Sequence, residues 1–269
     1  MAHPRIVFLM YHELELPDRP LCQSEAGYVR YILFAHDFLA QMERLKLANW
    51  RGVSVTSALR FQDAHSVAIT FDDGCETDLL TAVPILQKLY FRATFYVTAG
   101  FLGRRGYMSP AQLRELSSLG FEIGCHSMSH AYLSDLDDVG LYREIVEAKL
   151  QLEQTVGKPV EHFSCPGGRY SRRVVQIVRD AGYRSMATSQ AYANSPSTNS
   201  FELGRIPVKR DTTLNMFDQL YRGHALWKVS LQNAAYDSAK RILGNSFYDR
   251  VRSLILHRRK SANTSSTSH

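Results

Sequence analysis

Residues 67–76 read V-A-I-T-F-D-D-G-C-E. An apolar, β-branched run stops at two adjacent carboxylates, Asp72 and Asp73, followed by Gly74. The run predicts a buried strand. Two like charges at its end are either solvated in an ordinary turn or held by something positive. Asp-Asp-Gly on its own is commonly just a turn, so the surroundings decide.

Further strands are expected at 5–11, 52–55, 92–98, 121–125, 162–165, 183–187 and 204–208. Between them apolar residues recur at three-four spacing, as in Phe38, Met42 and Leu45, then Leu79, Val83 and Leu86. Ser109-Pro110 and Ser171 read as helix starts. Strands alternating with helices predict an α/β fold with a parallel sheet. Seven or eight such units in one chain favour a barrel over an open sheet. The expectation is an irregular (β/α) barrel of about seven parallel strands over residues 1–213. A helical appendix (214–260) packs on it, and a tail expected to be disordered (261–269) follows.

The chain has 269 residues, 45% hydrophobic, with a net charge of +6. That suffices for one large core. No apolar stretch reaches the ~20 residues of a membrane span. The opening M-A-H-P-R-I-V-F-L-M-Y-H has too short an apolar run for a secretory leader, so the expected location is cytoplasmic. Basic residues gather at Arg250, Arg252, Arg258, Arg259 and Lys260. A solvated basic face is the plain reading, and peripheral contact with an anionic membrane surface the sharper one. The stripe Trp227, Leu231, Ala235, Ile242 likewise reads first as a packed helix face. Cys22, Cys75, Cys125 and Cys165 form no C-x-x-C pair and are expected as reduced thiols. Three of them flank motifs, either as packing thiols or as a redox-sensitive set.

The reactive side chains fall at strand ends. His12 follows the first strand, Asp72 and Asp73 the third, His126 the fifth and Pro166-Gly167-Gly168 the sixth. His130 comes four residues after His126, in H-S-M-S-H. In a parallel α/β barrel the C-terminal strand ends are where active sites assemble. A lone H-x-x-x-H is chance more often than not, and a Pro-Gly-Gly is equally at home in a tight turn. Such features at four strand ends together are more informative than any one of them. Two imidazoles and one carboxylate suit a catalytic divalent ion with open positions for water. Zn²⁺, Co²⁺, Ni²⁺ and Fe²⁺ all accept that set, with Zn²⁺ the first expectation. A second acid beside the ion can then serve as general base toward water.

T-F-D-D-G (70–74), H-S-M-S-H (126–130) and F-S-C-P-G-G-R-Y (163–170) together resemble the polysaccharide deacetylases, metal-dependent carbohydrate esterases. The resemblance covers roughly residues 5–210 and implies an irregular (β/α) barrel. It implies that Asp73, His126 and His130 hold one divalent ion and that Asp72 is the catalytic base. Pro166, Gly167, Gly168 and Arg169 would line the substrate groove. The implied activity is removal of an acetyl group from an N-acetylated sugar, in a glycan or glycan precursor. No nucleic-acid partner is implied, and the oligomeric state is open.

The chain departs from the family pattern in three places. Ser164 stands where relatives carry an arginine that orients the base, and Arg169 is the nearest substitute. No Asp-Trp pair corresponds to the fourth motif. The fifth motif, a short apolar run ending in a general-acid histidine, matches only L-I-L-H (254–257) with His257, and His224 is the other candidate. Two alternatives therefore stand beside deacetylation: an amidohydrolase acting on a formamido sugar or a ureide, and a glycan-binding relative with impaired catalysis.

Overall fold

The computed structural model describes residues 4–224 together with Leu226 and Val229. Among the described residues ten strands are formed. They are β1 (Val7–Tyr11), β2 (Leu14–Glu15), β3 (Leu33–Phe34), β4 (Arg51–Val53) and β5 (Ser66–Phe71). Then come β6 (Thr94–Val97), β7 (Glu122–Cys125), β8 (His162–Ser164), β9 (Ser185–Ala187) and β10 (Ile206–Pro207). All expected strands are present, shortened by a residue or more at most ends. The pair β2–β3 was not foreseen, because two-residue strands carry no periodic signal.

The main sheet runs β10-β1-β5-β6-β7-β8-β9, and every pairing in it is parallel. On the side of β5 away from β1, β4 pairs with Ser66–Ala68 and β6 with Thr70–Phe71. The two ends of this path approach each other through residues 203–206. Leu203 bridges Ala187 of β9, while Ile206 pairs with Leu9 of β1. The sheet therefore curls into the irregular barrel that the alternating pattern predicts.

Helices cover the outside. Ala35–Leu47 buries Phe38, Met42 and Leu45. Pro110–Ser118 begins with a capping box: Ser109 accepts from the Gln112 N–H, and the Gln112 side chain returns the bond. Arg172–Asp180 is capped by Ser171 on Val174. Because both faces of the sheet are covered, strands such as β5 are buried at every position. Val7, Leu9 and Tyr11 join the core under the helices, whereas Ile6 and Phe8 join a separate cluster with Ala68, Tyr96, Ala187 and Leu203. The period-two alternation of β1 separates these two environments.

The helix Leu214–Tyr221 packs against Ala35–Leu47 and β1. Past residue 224 the expected 214–260 appendix, including Trp227 and the stripe that follows it, lies outside the described residues except for Leu226 and Val229. So do the expected tail 261–269 and His257. Among the described residues no helix is long and apolar enough to cross a membrane.

Candidate metal and catalytic site

The turn after β5 decides the geometry. Asp73 and Gly74 both adopt positive φ, 79° and 81°. A side chain at 74 is excluded on two counts: a Cβ there would lie 2.9 Å from Val97 Cγ1, and the φ value is one that L-residues rarely adopt. This turn points both carboxylates into the end of the barrel, where Asp72 is 2% exposed and Asp73 is 1% exposed.

After β7 the H-S-M-S-H segment forms a curled loop, with Ser127 at φ 68° and His130 at φ 63°. Ser127 Oγ accepts from the His130 N–H, and the Glu144 carboxylate accepts from the Met128 and Ser129 N–H groups and the Ser129 hydroxyl. The chain conformation that turns both imidazoles inward is thus fixed by bonds independent of any ion. His130 Nε2 lies 3.5 Å from Asp73 Oδ1, and His126 Nε2 lies 3.6 Å from the same oxygen.

These spacings exceed ordinary hydrogen bonds. They match the separation of about 3.4 Å between ligands that share one ion at bonds near 2.1 Å. Asp73 Oδ1 is buried and has no hydrogen-bond partner, which is costly unless a cation occupies the gap. The other Asp73 oxygen accepts from the Tyr28 hydroxyl. His126 Nδ1 is 2.8 Å from the Ser164 carbonyl. A carbonyl only accepts, so Nδ1 carries the proton and Nε2 keeps its lone pair for the ion. The residues present fit a divalent metal.

Asp72 faces a different partner. Arg205, from the segment that closes the barrel, forks onto it: Nη1 donates to Oδ1 at 2.7 Å and Nη2 to Oδ2 at 2.8 Å. The guanidinium is fully buried and also donates to the Thr188 carbonyl, the Thr70 hydroxyl and the Ser164 hydroxyl. Arg205 therefore occupies the role expected of an arginine at 164. Ser164 is small enough to leave room for it, and its hydroxyl accepts from Nη2 at 2.8 Å. Arg169, the substitute expected from sequence, stacks instead on the Tyr132 ring, 4.7 Å from its centroid. Arg205 was missed because it lies 41 positions beyond Ser164. The available signal was an arginine inside the apolar strand G-R-I-P-V.

Burial by itself pushes the Asp72 carboxyl up, but Arg205 and then His126 outweigh it and hold the group well below the usual carboxylate range. Burial likewise works to raise Asp73, and His130, His12, His126 and the Tyr28 hydroxyl reverse it. Burial pushes His126 down to about 4, against the pull of Asp72. The sign of the resulting pH dependence follows. An unfolded histidine takes up its proton near pH 6.5, whereas folded His126 does so only near pH 4. Between these values the unfolded chain binds more protons. Without an ion, stability should fall as pH drops from about 6.5 to about 4, by on the order of 3 kcal/mol. Urea unfolding of chelator-treated protein across that window measures it, and His126→Gln should flatten the profile.

His12, half-buried at the end of β1, belongs to the same field, since Asp73, Asp72, Arg205 and His130 all act on it. Burial lowers its pKa. Its Nδ1 is buried without a partner, and its ring packs on Tyr31 and Tyr28. Pro166–Gly168 forms a single helical turn with Gly167 and Gly168 at φ 62° and 68°. Added Cβ atoms there would meet Tyr132 and Ser189 at 2.8 and 2.4 Å. His224 is placed elsewhere. It is exposed and follows Gly223, which faces Val7 at the opposite end of β1.

With this geometry in hand, the likeness to known proteins is specific. The polysaccharide deacetylase family model matches residues 61–186. A peptidoglycan-N-acetylglucosamine deacetylase of Bacillus cereus is 32% identical over 124 residues, 46% of this chain and 56% of that protein. A chitooligosaccharide deacetylase of Azorhizobium caulinodans is 32% identical over 130 residues, 48% of this chain and 60% of that protein. The chain thus spans little more than half the length of these curated relatives. Among solved structures, the Streptococcus pyogenes deacetylase PplD superposes with a TM-score of 0.73 at 21% identity, over 82% of this chain and 99% of that one. That likeness supports the fold. Motifs, fold and matched segment agree on a polysaccharide deacetylase domain at residues 61–186.

Proposed function

We propose that this protein is a metal-dependent hydrolase that removes the acetyl group from an N-acetylated sugar in a glycan or glycan precursor. The observation that carries the reading is the division of labour in the acid pair. Asp73 turns an unpartnered oxygen toward two imidazoles, while Asp72 is locked 3.8 Å from His126 Nε2 by a forked arginine. Asp73, His126 and His130 would hold one divalent ion, with Zn²⁺ the first candidate and Co²⁺, Ni²⁺ and Fe²⁺ compatible. Such an ion supplies Lewis acidity to water and to the acetyl carbonyl.

The protein's own groups do the rest. Asp72 accepts the proton of the attacking water as its oxygen bonds to the acetyl carbon. The C–N bond then breaks, the nitrogen leaves as an amine after protonation, and acetate remains. The proton that Asp72 takes from the water balances the one the leaving nitrogen needs. Pro166–Gly168 and Arg169 would line the sugar groove. The non-catalytic alternative rested on the lack of an arginine at 164 and on the poorly matched fifth motif, and Arg205 answers the first of these grounds. The free thiols are in keeping with a reducing compartment, so a cytoplasmic precursor is the substrate class we favour.

Acetate release from N-acetylglucosamine oligomers tests the reading. Release should require added divalent metal, stop with chelator, and vanish in Asp73→Ala together with the bound ion. Formate or ammonia from other substrates, with no acetate from these, would overturn it.

A further inference from the structure

A second group of ligating side chains lies just past the first. Among the described residues, one carboxylate oxygen of Glu13 and the Sγ atoms of Cys22 and Cys75 lie within 4.8 Å of one another. Glu13 is 1% exposed and Cys75 is 0% exposed. The group is held in place from several directions. Both Glu13 oxygens accept from the Cys22 N–H, at 3.1 and 3.0 Å, and Cys22 Sγ donates to the Gly106 carbonyl at 3.0 Å. Cys75 is pinned by its bridge to Tyr107.

An independent observation points the same way. Asp78 is fully buried, and both of its carboxylate oxygens lack a hydrogen-bond partner. Its N–H bonds the Cys75 carbonyl at 3.1 Å, which places it one turn on from that cysteine. Burial first, and then the charges of Asp73, Cys22 and Glu13, push its carboxyl well above the usual carboxylate range. An unpaired buried carboxylate costs several kcal/mol, and a second one beside it adds repulsion. A cation between them removes both costs.

We propose that Cys22, Cys75 and Glu13 form a second metal centre, distinct from the Asp73–His126–His130 set, with the buried, unpartnered Asp78 carboxylate one turn on from Cys75. Two sulfur donors select a borderline-soft ion such as Zn²⁺ over Mg²⁺ or Ca²⁺, which take oxygen donors. On binding, each thiol loses its proton to solvent and its sulfur bonds the ion. Three anionic protein donors converge there, two of them sulfur. Cys75 is two residues from Asp73, so this ion would brace the turn that presents the catalytic pair.

The probe is Co²⁺ alone, added to reduced, chelator-treated full-length protein. Two ions per chain should bind. One should give the near-ultraviolet thiolate-to-metal charge-transfer band, which nitrogen and oxygen donors do not produce. Asp73→Ala should lose one ion and keep the band. Cys22→Ser should lose the band and keep the first ion. If Cys22→Ser does not fold, the wild-type stoichiometry and band decide alone. A single ion with no charge-transfer band overturns the proposal. So does a Cys22–Cys75 disulfide in freshly isolated protein, seen as a mass two hydrogens short.

Discussion

Replacing Arg205 by methionine is expected to cost about 3–5 kcal/mol of folding stability, because it strands the buried Asp72 carboxylate without its partner. The loss should far exceed that of a surface arginine, since the guanidinium is fully buried and bonds five acceptor atoms. Turnover should fall as well, because an unbraced Asp72 rises in pKa and rotates away from the ion. The informative companion is Arg205→Met combined with Ser164→Arg. Ser164 Oγ is 2.8 Å from Arg205 Nη2 and 3.4 Å from Asp72 Oδ2, so an arginine at 164 can grow into the vacated space and recover part of both losses. Urea unfolding and acetate release, measured on the same samples, check this. A wild-type unfolding midpoint in Arg205→Met alone would sink the idea.

Asp72→Asn is expected to slow turnover by about 10²- to 10⁴-fold, the usual contribution of a positioned general base. Its bound-ion content should stay unchanged, because the Asp73, His126 and His130 donors are intact. That pairing separates base from ligand: Asp73→Ala loses the ion, whereas Asp72→Asn keeps it and loses the chemistry. Asparagine also leaves the Arg205 charge uncompensated, so stability has to be measured alongside. Turnover above a tenth of wild type would assign the base to another group.

Much of this was legible in the sequence, for physical reasons that differ by residue. The strands were readable because a sheet covered on both faces demands unbroken apolar runs, as in Ser66–Phe71. Asp72, Asp73, His126 and His130 stood out because charged and ligating residues at the ends of such runs violate the pattern around them. Arg205 was not assigned, because its role depends on barrel closure bringing residue 205 to residue 72, a contact that no local period encodes. Tyr28 and Glu144, which hold the metal-facing loops, lie on helical segments whose tertiary neighbours cannot be read from spacing. The Cys22–Cys75 approach was hidden in the same way, since Cys22 lies on a loop with no periodic pattern.

The closing segment has a consequence for how competence is acquired. The family match ends at residue 186, yet the arginine that sets the base arrives at 205. During synthesis a nascent chain acquires Asp73, His126 and His130, the proposed ion-holding set, before Arg205, the partner that braces Asp72. Under the proposed roles, a fragment cut at residue 186 would keep the ion-holding set and lack the brace of the base.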